Sequence, residues 1–467
     1  MLFSSISFLY YFLAASLIIY FIVPFKFKNL VLLVASLAFY FYGEPVYTLL
    51  MLGTAFSSYI HGLLIDHFRG RKLSKVFLWS SVITSVLVLG FFKYSDFFIS
   101  NVNSIFHTKI SFLGLALPIG ISFYTFQTLS YTIDVYRGEA KVQKSFIRLA
   151  TYVALFPQLI AGPIVRYTTV EEELSNRKHS FENFSYGVNR FIIGLGKKVL
   201  IADTLYAMAT SLHTMNEASV GGMWLYAISI SLYTYFDFSG YSDMAIGLGR
   251  IFGFHFLENF NYPFISRNVA EFWRRWHISL GSWFRDYVYI PLGGNRVPVL
   301  RWMFNILVVW FLTGFWHGAD WTFIVWGLYF AVFLVLEKFV LNKFFAKLPR
   351  FFSHIYVTIA ILISFVIFHG VGMSGAISDL GSMFGAANLP FWSSETTYNL
   401  LSYIFVLIIA IVGATPLVKN AILKLKEKAN ICRVINVLEP VFHVAVLLIT
   451  TAYFVDGSFS PFLYFRF

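Results

Sequence analysis

The 467-residue sequence predicts an all-α polytopic membrane protein, with roughly 10–12 transmembrane helices plus re-entrant and interfacial helices. Three observations predict this class. Hydrophobic residues make up 58% of the chain and charged residues 12%, with a mean hydropathy of +0.71. A soluble protein of this size has no interior able to hide that much apolar surface, so a bilayer must cover it. Apolar runs of helical length alternate with short charged loops, and the basic loops recur on every second crossing. The net charge of +12 therefore belongs to loops that face anionic headgroups, and no nucleic-acid partner is expected. The single cysteine, Cys432, lies between Lys428 and Arg433. It can form no internal disulfide, and its basic surroundings place it on a reducing cytoplasmic face.

Ile6–Val23 reads as the first span rather than a removable signal, because no basic region precedes it. Lys26 and Lys28 follow it. Leu30–Tyr42 and Val46–Leu64 flank a Gly43-Glu44-Pro45 turn, and the basic loop Asp66–Lys75 lies inside. By alternation the N-terminus is outside. Val76–Phe92 crosses outward, 101–109 is a polar outer loop, and Phe112–Ile133 returns. This return segment is polar for a span, with Gln127 and Asp134 among its side chains. It either hydrogen-bonds to neighbouring helices in a bundle interior or lines a wet cavity. Thr151–Ile164 holds Pro157, Gly162 and Pro163 and is short for a crossing, which suits a broken or re-entrant segment. The charged stretch 166–179 is solvated surface. Phe181–Leu212 is mixed, with Lys197 and Lys198 at an inner edge.

Met223–Phe238 is apolar and leads into DFSGYSDMAIGLGR. Asp237 and Asp243 lie there at membrane depth, where a carboxylate is either a functional group or one satisfied by neighbouring hydroxyls. Between Arg267 and Arg301, six arginines face two acids, so this segment is cytoplasmic. Its interleaved Trp and Tyr suit an amphipathic helix in the headgroup plane, broken at Pro291-Leu292-Gly293-Gly294. Arg274, Arg275 and Arg285 could meet lipid headgroups there or the phosphates of a donor. Met303–Phe315 then dives, and Thr322–Leu336 comes back to Glu337 and Lys338. His317, behind Trp316, sits at the tip of this hairpin, sixteen positions and roughly 24 Å from Arg301. An imidazole at that depth is either an interhelical hydrogen-bonder or a functional group. Asp320 lies on the same face as His317 if the helix persists, where a carboxylate would fix the imidazole tautomer. A second Trp-His pair, Trp276-His277, lies among the arginines. Ile355–Phe368, Leu400–Val412 and Val441–Phe454 are further spans, with a basic inner loop at 419–433 and the last residues outside.

FWRRWHISLGSWFRDYVYIPLGGNR and FLTGFWHGADW resemble the signature of the membrane-bound O-acyltransferase family. The resemblance is nearest to the bacterial branch that contains the membrane subunit of alginate O-acetyltransferase. LPIGISFYTFQTLSYTIDVYRG, LFPQLIAGPIVR and FDFSGYSDMAIGLGR extend it to most of the chain before about residue 326. Beyond that it thins, and His369 stands where the branch usually carries an arginine. The resemblance implies a single integral membrane domain over 1–467, with N-terminal spans in 1–110, a core in 111–345 and C-terminal spans in 346–467. It implies His317 as the family's characteristic histidine and His277 as its second polar position. It implies an acyl thioester donor, acetyl-CoA or another, arriving from the cytoplasm, with no bound cofactor. It also implies location in the bacterial cytoplasmic membrane. The acyl group, most simply acetyl, would pass outward to a separate extracytoplasmic acetyltransferase that modifies a polysaccharide.

The expected chemistry follows. Acyl transfer from thioester to hydroxyl requires removal of the hydroxyl proton, which a neutral imidazole performs near pH 7. His317 is expected to be the base, with a covalent acyl-histidine the less favoured route. His277 would hold or polarise the donor carbonyl. There is no G-x-S-x-G elbow and no cluster with metal-ligand spacing. A secondary transporter or flippase for a lipid-linked or small polar substrate is the rival reading, and a scaffold for a polysaccharide synthase a third. Against transport, the polar motifs fall in one block rather than two matching halves.

Overall fold

The computed structural model describes residues 3–457, so the expected outer end of the chain beyond residue 457 lies outside the described residues. Every regular element there is a helix. The chain forms two compact units: 1–191 with 242–257, and 192–241 with 258–467. The helix Val220–Ile251 belongs to both.

In the first unit, Pro45 opens the helix Pro45–His67, as its fixed φ allows at a first turn. The expected span at 76–92 is part of a longer helix, Lys72–Phe106, which absorbs the start of the predicted polar loop. The expected span at 112–133 is corrected too. Pro118 and Gly120, at φ +75, hold the chain out of helix until Ile121, and the helix is Ile121–Arg137. Nearly all of its side chains are buried, with Tyr131 seated on Gly62, where a Cβ would come within 2.6 Å of the phenol oxygen. The 151–164 segment is broken as expected: Phe146–Ala154 ends, and a four-residue helix, Phe156–Leu159, follows. Its interrupted backbone is satisfied by side chains. Ser36 Oγ accepts the Phe156 N–H at 3.1 Å, and the Gln158 amide donates to the Tyr152 carbonyl at 2.6 Å.

In the second unit, the hairpin Val299–His317 and Trp321–Leu336 forms as predicted. Its legs touch at two glycines. A Cβ on Gly314 would lie 2.2 Å from the Phe323 carbonyl, and one on Gly327 would lie 2.3 Å from that of Trp310. The expected platform at 267–301 is not one amphipathic helix. It is two short ones, Val269–Arg275 and Ile278–Phe284, the second running into a π turn at Arg285–Tyr289.

Among the described residues, seven helices are long and apolar enough to cross a membrane. Shorter apolar helices such as Ser7–Ile22 stand beside these seven, and other helices are too short or too polar to count among them. Ile121–Arg137 and Val220–Ile251 are enclosed by protein and carry rows of Ser, Thr, Tyr and Asp. A helix that never meets lipid need not be apolar all round.

Candidate active site

The two Trp-His pairs meet inside the second unit. His277 sits between the platform helices with φ 44 and ψ 54, a left-handed conformation uncommon outside glycine. The kink lets Trp276 stay stacked on Phe272, 5.5 Å between ring centres, while His277 turns into the protein. His277 is 1% exposed, and Phe238 packs edge-on against it at 4.7 Å. Its Nδ1 lies 3.1 Å from Asn259 Oδ1. The same oxygen accepts the Ser279 backbone N–H at 3.2 Å and the Ser279 hydroxyl at 2.9 Å. Because that oxygen is an acceptor, the proton of a neutral His277 resides on Nδ1 and the lone pair on Nε2. Burial pushes the imidazole down to about 3, so it is neutral at pH 7. Nε2 is buried with no hydrogen-bond partner among the described residues. A lone pair does not polarise a carbonyl oxygen, so in this tautomer the ring suits the holding half of the expected hold-or-polarise role. This nitrogen receives a hydrogen bond or a proton.

His317 is the last residue of its helix and is 5% exposed. Its ring packs among Trp316 (4.9 Å), Trp326 (5.0 Å) and Phe368 (5.4 Å). The Trp316 ring in turn lies 6.2 Å from His277, so the two imidazoles flank one indole. The expected role of Asp320 through a shared helical face is corrected. The helix stops at His317, and Gly318 is extended at φ −166 and ψ 160. Asp320 instead caps the return leg, accepting the Thr322 N–H at 2.8 Å and its hydroxyl at 2.9 Å.

A cavity of about 680 Å³ runs along the hairpin's first leg, touching Trp302, Ile306, Val309, Trp310 and Thr313. From Trp302 to Thr313 is eleven positions, roughly 16 Å of helix. His277 lines it at the Thr313 end, near Trp316. The Trp302 end carries cations: Arg274, Arg285 and Lys338 line the cavity, and Lys338 Nζ lies 3.5 Å over the Trp302 ring. Arg285 is paired with Asp286 at 2.7 Å. Arg275 turns to Glu271 at 3.0 Å and to the Asn261 carbonyl at 3.1 Å, a bond internal to the platform.

Two further residues shape this site. Asn259, which sets the tautomer of His277, sits in a loop with no pattern to single it out. Glu337 is 1% exposed and accepts the Val269 and Ala270 N–H groups at 2.5 and 3.0 Å. With Asn268 accepting from Glu271 N at 2.6 Å, the first three donors of the platform helix are satisfied. An acid at the margin of an apolar span, beside Lys338, was its only signal.

The remaining candidates lie elsewhere. Asp237 is fully buried in the second unit, 2.7 Å from Lys198 Nζ, and Lys198 also binds Asp203 at 2.7 Å. That is the satisfied-carboxylate alternative, with a lysine in place of hydroxyls. Asp243, Gln127 and Asp134 belong to the first unit. Asp243 pairs with Arg190 at 2.6 Å, and the other two are buried in Ile121–Arg137. Thr234 donates to the Ile230 carbonyl at 2.7 Å, so at 2.9 Å His369 Nε2–H donates to Thr234.

The membrane-bound O-acyltransferase family matches residues 45–378. A "Probable alginate O-acetylase" of Azotobacter vinelandii is 36% identical, with both chains covered in full. One from Pseudomonas aeruginosa is 43% identical over 72% of this chain and 66% of its own. A "Peptidoglycan O-acetyltransferase" of Helicobacter pylori is 34% identical over 82% of this chain and 80% of its own. With these matches and its membrane-length helices, the chain belongs to the membrane-bound O-acyltransferase family and is a multi-pass membrane O-acyltransferase.

Proposed function

We propose that this protein takes an acetyl group from a cytoplasmic thioester and delivers it for O-acetylation of an extracytoplasmic polysaccharide, through a separate extracytoplasmic acetyltransferase. One observation carries the reading. A cavity with cations at one end reaches His277 at the other, and His317 stands just beyond the shared Trp316. The names of the relatives, alginate O-acetylases and a peptidoglycan O-acetyltransferase, support an acetyl group and a polymeric acceptor. The donor's phosphates, from acetyl-CoA or a carrier-bound arm, rest against Arg274, Arg285 and Lys338. Its thioester arm lies along Trp310 and Thr313. His277 Nε2 accepts a hydrogen bond from an N–H of that arm and fixes its depth.

His317 is the general base. As the acceptor oxygen attacks the thioester carbonyl, the C–O bond forms and the hydroxyl proton passes to the imidazole. The tetrahedral centre collapses, the C–S bond breaks, and the imidazolium returns its proton to the departing sulfur. Charge and protons balance within one turnover, and the aromatic cage keeps bulk water from the acyl group.

The test is transfer of labelled acetyl from acetyl-CoA by the purified protein, reconstituted in vesicles with its partner and polymer. Thioester consumption that depends on acceptor, and is lost in His317→Ala, is the expected result. Uptake or flipping of a solute without thioester consumption would replace this reading with transport.

A further inference from the structure

A cationic cluster in the first unit takes no part in the chemistry above. Arg177 is 4% exposed, yet its partners are neutral. Nε donates to the Tyr20 hydroxyl at 2.7 Å, and Nη1 donates to Asn29 Oδ1 at 2.7 Å and the Glu173 carbonyl at 3.3 Å. Nη2 is buried without a hydrogen-bond partner among the described residues. The nearby Glu173 carboxylate is held by His255, through the ring at 2.5 Å and the backbone at 3.0 Å. The guanidinium is stacked among Tyr20, Phe25 and Phe254 at 4.9 to 5.5 Å. A buried charge so enclosed is costly unless an anion compensates it.

A second cation converges on the same tyrosine. Lys28 Nζ lies 4.5 Å over the Tyr20 ring and is itself partly open to solvent. On another side of Tyr20, its hydroxyl donates to the Phe252 carbonyl at 2.8 Å. It therefore accepts from His179 Nε2–H, also at 2.8 Å. Burial, with Lys28 and Arg177 adding repulsion, pushes His179 down to about 4, so its ring is neutral at pH 7. The cluster thus offers two cations, with the neutral His179 ring bracing Tyr20, and neither cation is paired with a carboxylate among the described residues.

Its position says which anion is at hand. Tyr20 is in the last turn of the apolar helix Leu13–Ile22, and Lys28 follows at its expected inner end. Ile18, Ile22, Phe25 and Phe181 are exposed around it, an apolar collar at the level where acyl chains begin. We infer that Lys28 and Arg177, with Tyr20 braced between them by His179, form a binding site for the phosphate of an anionic phospholipid of the inner leaflet. Lys28 makes the exposed contact, Arg177 supplies the buried charge behind it, and the collar takes the acyl chains.

Binding is read without turnover, so its outcome is separate from that of the acetyl-transfer assay. The detergent-purified full chain is titrated with fluorescent phosphatidylglycerol and, as control, fluorescent phosphatidylcholine. Phosphatidylglycerol should bind more tightly by at least about fivefold, and Lys28→Gln should weaken it by about fivefold. Lys28→Glu should weaken it by about 25-fold, the same factor twice over. Both replace a solvent-accessible side chain, so folding is not at issue. Lys26→Gln, two residues away with its ammonium over Phe27 rather than Tyr20, should change binding less than Lys28→Gln. Equal affinity for the two lipids, no effect of Lys28→Glu, or an equal effect of Lys26→Gln would overturn the site. Displacement of the lipid by millimolar inorganic phosphate would assign the cluster to a free anion and overturn the lipid as occupant.

Discussion

Trp276-His277 and Trp316-His317 are the same dipeptide held in opposite ways. His277 is locked by a polar network. Its left-handed backbone separates two short helices, and Asn259 Oδ1 accepts a hydrogen bond from Nδ1–H. His317 ends a regular helix and is held by rings on several sides: Trp316, Trp326 and Phe368. A fixed tautomer suits a group that must present one lone pair unchanged, as a donor-arm ligand does. The rings around His317 fix its position by shape. The contrast fits the proposed division of labour, in which His277 orients the donor and His317 reacts, although the two share one indole.

The largest effect should separate them most sharply. His317→Ala is expected to lower acetyl transfer by about 10²–10⁴-fold with normal insertion, the usual range for loss of a general base. His277→Ala should cost much less and act mainly on donor KM. Equal losses in kcat for both would erase the distinction.

The next test attacks the lock. Asn259→Ala removes an acceptor shared by three donors and should cost about 1–3 kcal/mol of stability. It should also lower activity, because the His277 tautomer is no longer set. Asn259→Asp keeps the acceptor and should restore donor KM toward wild type, which a purely structural role would not require. Failure of that rescue would remove Asn259 as the residue that sets the tautomer.

A smaller effect depends on pH. His277 falls from 6.5 in the unfolded chain to about 3 when folded. Its contribution to stability is full above 6.5 and is lost as pH falls toward 3, because the unfolded chain then binds the extra proton. Between pH 7 and pH 5.5 the loss should be about 1 kcal/mol, and His277→Gln should flatten that part of the melting-temperature profile. An unchanged profile would mean that His277 is not held neutral by burial.

The smallest effect lies at the cationic end of the cavity. Arg274→Gln with Arg285→Gln should raise donor KM by about fivefold at low salt and less at high salt, with kcat unchanged. A fall in kcat instead would place these arginines at the chemistry rather than at the entrance.

Most of the class and part of the site were legible in the residues. Composition and loop charge predicted a helical membrane protein, and the Trp-His pairs marked both imidazoles. The hairpin was readable because two apolar runs flank Gly318 and Asp320. Partners distant in sequence were not. Asp320 read as an orienting carboxylate, but the helix ends one residue before the glycine, and Asp320 caps the next helix. Asp237 read as either a functional group or a carboxylate satisfied by nearby hydroxyls, but its partner is Lys198, thirty-nine positions earlier. Glu337 and Asn259 read as nothing in particular, because capping a helix from another span and accepting from a remote imidazole leave no local pattern.

What the sequence by itself determined was the solvent, the helical class and the residues able to carry a proton, since these follow from hydrophobicity and side-chain chemistry. Only the tertiary structure decided which of them meet. It set His277 and His317 both against Trp316, opened the cavity from the arginines toward His277, and placed the proton of His277 on Nδ1. The physical reason is that burial, tautomer and ion pairing depend on neighbours through space, and forty positions of chain separate the two histidines that one indole brings together.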